Sequence, residues 1–340
     1  MSFRKPLPAT TRGTTINQLI EMLTYMRPSG SRAARAFGRK FLQPVFGQPD
    51  PAGNYVLRVG DAPRVMFTAH YDTVHRTGGV QKVSVDSGKV KLPRKSKSNC
   101  LGADCTTGVW LILQMIAAKV PGLYAVFADE EIGCVGSSYF VMNRADEITD
   151  IDAVISFDRL GYTSIITHQS GFRTASDKFA ASLESILDMG FRADDGGSFT
   201  DSNEFALIVP ECSNISVGYF NQHGRDETQD LDHAEELARA LIAADWSQLV
   251  IARDPSQIES RKRVGAFDFW DDMEQAESDL RRIVRDHPDA VAALLAECGY
   301  QVGDVLDYVD RGTACYGDPY KDYDPDTGLT MQELFDREGF

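Results

Sequence analysis

Seven residues, far apart in the chain, have side chains suited to holding metal ions: His70, Asp72, Asp104, Glu130, Glu131, Asp158 and His223. His70 and Asp72 close the apolar run VMFTAHYD. Glu130 and Glu131 follow GLYAVFAD, Asp158 follows DAVISF, and His223 ends SNISVGYFNQH. Asp104 sits in the glycine-flanked stretch CLGADCTTG. Imidazole nitrogen and carboxylate oxygen are ordinary zinc ligands, and a catalytic zinc keeps one position open for water. Two ions a few ångströms apart need a carboxylate that faces both. Asp104, short and held in a rigid loop, is the candidate bridge. His70 with Asp158 would hold one ion, and Glu131 with His223 the other. Asp72 lies two residues past His70, on the same side of an extended strand. There it can accept the second ring proton and orient the imidazole. The side chains of Glu130 and Glu131 diverge, so Glu131 can ligate while Glu130 faces the water as general base.

Each residue taken singly has a plainer reading. A histidine at a strand end is commonly structural, DEE is commonly a solvated turn, and an Asp beside glycine commonly forms one. Five ligand types at successive strand ends favour a metal site.

The elements that must position these residues follow from the hydropathy pattern. NYVLRVG, RVMFTAH, GLYAVF, DAVISFDR and SNISVGYFNQH read as strands, mostly short, continuous and apolar. TTINQLIEMLTYM, TTGVWLILQMIAAK, VGSSYFVMNR, SDKFAASLESILDMG (closed by Gly190) and DHAEELARALIAADWSQLVIAR read as helices. KVSVDSGKVKLP reads as a hairpin turning at Asp86-Ser87-Gly88. The alternation predicts an α/β fold, a three-layer α/β/α sandwich with a mixed, mainly parallel central sheet. Ligands of such sheets bind beyond the carboxyl ends of the strands, where all seven residues fall.

A hydrophobic content of 43% with 25% charged residues is that of a globular chain. No apolar run reaches membrane length, and MSFRKPLPATTRG has no secretory apolar core. The six cysteines lack paired zinc-finger spacing and read as free thiols of a reducing compartment, so a cytoplasmic location is expected. The net charge of -15 is concentrated beyond residue 253, where 21 acids face 9 bases. Nucleic acid would be repelled there, and neither nucleic acid nor membrane is an expected partner.

The stretches HYDTV, GADCTTG, DEEIGCVGS, SFDR and NISVGYFNQH occur in the order found in the co-catalytic zinc peptidases of clan MH. The chain resembles most its aminopeptidase family twenty-eight, of the bacterial leucyl aminopeptidase kind, over about residues 15–253. The resemblance implies two Zn2+ ions, with other divalent metals as substitutes. It implies His70, Asp104, Glu131, Asp158 and His223 as ligands, Glu130 as base and Asp72 as the support of His70. The gaps His70–Asp104 and Asp158–His223 leave no room for an inserted lid domain. Residues 1–253 are therefore expected to form a single zinc peptidase domain.

Cys105 follows the bridging residue where relatives often carry Asp or Asn, and a cis Asp104–Cys105 bond is expected from the same likeness. Cys105 and Cys134 lie beside ligands, but the five-ligand set is complete without them. Gln222 precedes the last histidine, so no oxyanion-stabilising tyrosine transfers to that position. Tyr219 and Asn214 are the weak substitutes for substrate binding. Asp201, in GGSFTDSNEFA, is read as orienting a loop or the substrate, or as forming a simple turn. The basic run KVKLPRKSKSN either draws acidic peptides or is a solvated hairpin. His75, His168, His233 and His287 lack a ligand context.

Residues 254–340 read as an acidic appendage of helices and loop, with MEQAESDLRRIVRDHPDAVAALLAECG and VGDVLDYVDRG as helices. DYDPDTG lacks the spaced glutamate of a calcium loop. A homo-oligomer through this appendage is one expectation. The expected activity is hydrolysis of peptide N-termini by a water activated with Glu130. The alternatives are an N-acyl amino acid amidohydrolase or carboxypeptidase of the same clan, and an inactive interaction module.

Overall fold

The computed structural model describes residues 15–257 and Pro288. Residues 15–257 belong to the first of the two units into which the chain divides, Met1–Arg263. The helices and loop expected in the appendage, with Cys298, Cys315 and His287, lie outside the described residues.

The central sheet has seven strands: β1 (Tyr55–Val59), β2 (Val65–His70), β3 (Gly122–Phe127), β4 (Ala153–Arg159), β5 (Ser164–Ile166), β6 (Arg192–Asp194) and β7 (Glu211–Ser216). Their spatial order is β6-β5-β7-β4-β2-β3-β1. The four middle strands β7, β4, β2 and β3 run parallel, while β1 is antiparallel to β3 and β5 meets β7 antiparallel at Ile215 and Ile165. Every residue of β2, β3 and β7 is buried, as strands covered on both faces must be. The expected α/β architecture with a mixed, mainly parallel sheet is the one observed.

The helices that frame the sheet include α1 (Ile16–Met22), α2 (Ala103–Ala117), α3 (Val135–Arg144), α4 (Asp177–Leu187) and α5 (Leu231–Ala243). On one face Phe67 stacks with Phe157 and Tyr124, and Trp246 meets Phe67 edge-on at 4.7 Å. On the other, Phe127, Phe140 and Phe205 form a second cluster. Helix α2 lies very close to β4: a Cβ on Gly108 would come within 2.2 Å of the Phe157 carbonyl. Only glycine fits there.

Four expected elements end differently. Helix α1 stops at Met22, because Tyr25–Met26 pairs with Gly79–Val80. Helix α4 is closed by Asp188 in the left-handed region rather than by Gly190. Helix α5 stops at Ala243, ten residues before the expected end. Asp245 caps a new turn, Trp246–Gln248, that delivers Trp246 to the core. The last strand ends at Ser216, and Gly218 (φ +89°) turns the chain into a four-stranded accessory sheet.

That sheet joins the hairpin Ser84–Asp86 and Lys89–Lys91 to Thr228–Asp230 and Tyr219–Phe220. The hairpin turns where expected, with Ser87 and Gly88 both at positive φ. Part of the basic run thus serves the fold: Lys89–Lys91 is a strand paired with Thr228–Asp230.

Candidate metal centre

Because β2, β3 and β4 are parallel and in register, Thr68 faces Ser156 and His70 faces Phe127. Their carboxyl ends therefore open on one edge of the sheet. His70 is the last residue of β2, and Asp158 stands near the end of β4. Glu130 and Glu131 form a short 3-10 turn after β3, flanked by Asp129 and Cys134, both with positive φ. Asp104 opens α2 just after Gly102 (φ +76°), and the Asp104–Cys105 bond is cis, as expected. His223 does not cap a central strand. It sits at the tip of the accessory sheet, with φ +62°, between Tyr219–Phe220 and Thr228–Asp230. A non-glycine residue at this φ is uncommon and is sustained only where its surroundings over-determine it.

These elements bring all seven side chains together. His70 Nε2 lies 3.3 Å from Asp104 Oδ1 and 3.4 Å from Asp158 Oδ1. His223 Nε2 lies 3.2 Å from Asp104 Oδ2 and 3.2 Å from Glu131 Oε2. The two oxygens of Asp104 thus face two different imidazoles. Glu130 Oε2 is 3.7 Å from His70 Nε2. Asp72 Oδ1 is 3.4 Å from His70 Nδ1, and the same carboxylate accepts from the backbone N–H of Glu130 and Glu131 at 3.1 Å each and from Ser29 Oγ at 2.7 Å. It therefore orients the histidine and the glutamate pair at once.

The electrostatics are those of a site built for added positive charge. Burial alone would lower the His70 pKa, but Asp158, Glu130 and Asp104 hold it well above its ordinary value. Burial pushes Glu130 up to about 10, with Asp158, Asp201 and Glu131 adding repulsion that His70 offsets only in part. Burial and Asp104 raise Asp158 to about 7. Hydrogen bonds to Asp104 and Glu131 raise His223 to about 11. Asp104 goes the other way: despite burial, both histidines hold it far below the usual carboxylate range. His70 Nε2, the ring nitrogen turned away from Asp72, and Glu131 Oε1 are buried without a hydrogen-bond partner. Buried polar atoms are ordinarily satisfied, so these orphans fit donors to a cation. His70, Asp104 and Glu131 offer ligand atoms within 4.8 Å of one another, as do His70, Cys105 and Asp158. The Cys105 thiol, however, donates to the Phe157 carbonyl at 2.9 Å, and burial raises its pKa well above the ordinary thiol value.

The residues expected to touch substrate divide. Tyr219 and Asn214 line the pocket of about 110 Å³ over the site, but both engage Asp158. Asn214 clamps its backbone, accepting from the N–H at 2.9 Å and donating to the carbonyl at 2.8 Å. Tyr219 Oη is 3.4 Å from its Oδ1. Asp201 is not among the residues that line this pocket. It is 1% exposed and accepts from Ser137 Oγ at 2.6 Å, fixing the helix behind the glutamate turn. His75 is structural, held by Thr73 Oγ and the Cys100 carbonyl.

Two residues that brace the site escaped the sequence reading. Glu227 is fully buried and accepts four backbone N–H groups, those of Leu101, Gly102, Ala103 and Asp104, at 2.7–3.1 Å. It holds the loop that carries Asp104. An acid four residues past His223 in GRDETQD gave no local sign of this. Thr200 also escaped; its hydroxyl donates to Asp158 Oδ2 at 2.8 Å.

Parallel strands that end in a cluster of imidazoles and carboxylates make an α/β fold with a candidate metal site at one edge of its sheet. Residues 54–194, which carry six of the seven side chains, match the sequence family described as Peptidase family M28. Over that span the chain is similar to the peptidases of that family. No curated protein matches it. Among solved structures, a tripeptidase from Staphylococcus aureus is similar at 13% identity, covering 69% of this chain and 97% of that one, with a TM-score of 0.54. An aminopeptidase from the archaeon Desulfurococcus kamchatkensis is similar at 14% identity over 67% and 94%, TM-score 0.52. The TET1 peptidase of Pyrococcus horikoshii is similar at 16% identity over 68% and 100%, TM-score 0.50. At such identities the likeness is one of fold.

Proposed function

We propose that the protein is an aminopeptidase holding two Zn2+ ions, bound by His70, Asp104 and Asp158 on one side and by Asp104, Glu131 and His223 on the other. The observation that carries this reading is Asp104, whose two oxygens address the two imidazoles separately. Bound zinc would supply Lewis acidity and a more acidic water. The chain's own residues do the rest. Asp72 fixes the ring of His70 and the turn of Glu130 and Glu131. Glu130, at the pocket wall and with no ligand role, takes the proton of the attacking water and passes it to the leaving amine. The carboxylates at the pocket floor favour the substrate's free ammonium group. Tyr219 and Asn214 keep Asp158 in place.

The same proposal places the catalytic unit within residues 1–253 and reads 254–340 as an acidic segment for self-association. The Pyrococcus TET1 peptidase, for comparison, assembles into a tetrahedron or an octahedral shell. Sedimentation of the full chain beside a chain ending at residue 257 tests it: a drop to monomer supports the assignment, and an unchanged mass rejects it.

For the chemistry, Glu130→Gln is the decisive variant. It is expected to keep its zinc and to lose activity on aminoacyl-arylamides and dipeptides by about 10²–10⁴-fold. Activity close to that of the unaltered protein would remove Glu130 as the base.

A further inference from the structure

Arg159 follows Asp158 at the end of β4 and lines the same pocket. It is the one guanidinium or ammonium among the pocket-lining residues, which otherwise bring four carboxylates. A guanidinium has five N–H donors in a planar fork, and this one uses few of them. Nη2 donates to the Gly196 carbonyl at 3.2 Å. Its nearest carboxylate, Asp194, stands 3.6 Å away, longer than the usual charge-assisted bond. That carboxylate already accepts from Ser164 Oγ at 2.7 Å and from Gly196 N–H at 2.8 Å. Arg159 Nε is buried with no hydrogen-bond partner, and the side chain is only 20% exposed. A guanidinium at a pocket wall that leaves most of its N–H donors unused can take a further acceptor.

The loop opposite keeps the fork beside the site. Gly196 holds Arg159, and Thr200, four residues on, holds Asp158. Between them Gly197 packs against β5, where a Cβ would come within 2.4 Å of Ile166 Cγ2. The guanidinium is thus tied to the same short loop as a candidate ligand of the metal centre.

We propose that Arg159 is a specificity-determining residue that receives a carboxylate of the substrate, so that the pocket selects short peptides with a free carboxyl group near the scissile bond. This rests on the peptidase reading above and names its substrate class. The carboxylate has two sources, the C-terminal α-carboxyl group of a dipeptide and an acidic side chain after the cleaved bond. Either pairs with the fork in a bidentate way that an amide cannot match.

The test uses the full-length, zinc-loaded protein and its Arg159→Gln and Arg159→Lys variants. The substrates are leucylglycine against leucylglycinamide, and leucylglutamate amide against leucylglutamine amide. The expected result is a kcat/KM about 10- to 100-fold higher for the carboxylate member of at least one pair. That preference collapses towards unity in Arg159→Gln and returns in part in Arg159→Lys. The first pair reports a terminal carboxylate, the second a side-chain one. Calorimetric binding of the same four compounds to Glu130→Gln, with and without Arg159→Gln, reads the preference apart from turnover. Failure of the unaltered protein to cleave any of them would strike the peptidase reading, while the binding preference still decides the role of Arg159. Equal treatment of both members of both pairs, or a preference that survives Arg159→Gln, would overturn the inference.

Discussion

At the scale of residues, the centre is a balance of charge that the protein alone does not close. Asp104, Glu130, Glu131 and Asp158 crowd two imidazoles, and the strain appears as displaced acidities. Glu130, Asp158 and His223 all bind protons more tightly folded than unfolded, with values of about 10, 7 and 11. Between the ordinary and the raised value of each group, the folded chain carries more protons than the unfolded one, so stability falls as pH rises. The metal-free protein should therefore lose melting temperature steadily from about pH 5 to pH 10, and zinc should flatten that slope. Thermal melts across this range with chelator and with zinc check it; a metal-free protein that gains stability with pH would contradict the charge balance. His75 acts oppositely at the acid end, since burial and Arg27 depress it to about 4, and its contribution is lost as pH falls from about 6.5 towards 4.

At the scale of elements, the ligands stand where they do because parallel strands finish on one edge and because loops are braced from behind. Glu227 is the clearest brace, spending one carboxylate on four N–H groups of the loop before α2. Glu227→Ala should destabilise the protein by about 3 kcal/mol through those unpaired donors and weaken zinc binding about 10- to 100-fold. Denaturant titration and competition with a zinc indicator measure the two effects; an unchanged zinc affinity would show that the loop needs no such support. The strands and their terminal acids were legible in the sequence because a buried parallel strand is a continuous apolar run, and the polar residue that ends it stands out. His223 was legible as a residue but not as a location. Its chain leaves the central sheet at Ser216 and returns through a sheet whose other half is the hairpin near Lys89, a long-range pairing with no local signature. Glu227 was invisible for the same reason: its partners lie over a hundred residues away.

At the scale of the molecule, the described unit is fastened at its end. Arg253 donates to the carbonyls of Arg173, Val209, Pro210 and Ala206, while its own backbone N–H and that of Ala252 reach Glu211, the buried first residue of β7. The composition shift suggested a boundary after this residue, whereas the first unit runs to Arg263, and the periodic pattern of 232–253 suggested one long helix and hid the clasp. The turn after Ala243 brings Trp246 into the core, and tertiary packing overrides helical periodicity there. Arg253→Ala should cost about 2 kcal/mol, roughly 4–8 °C in Tm, with kcat nearly unchanged because the clasp lies outside the catalytic cluster. A calorimetric scan paired with an activity assay checks this, and an unaltered Tm would show the clasp to be dispensable.

The central claim is that Asp104 joins two ions in one pocket. Elemental analysis of zinc bound to the full-length protein, beside its Asp104→Asn variant, tests it most directly. The expected result is about two zinc ions per chain in the unaltered protein, bound with mutual dependence, and a loss of at least one in the variant. A protein that takes up no zinc, or a single ion indifferent to the change at Asp104, would contradict it.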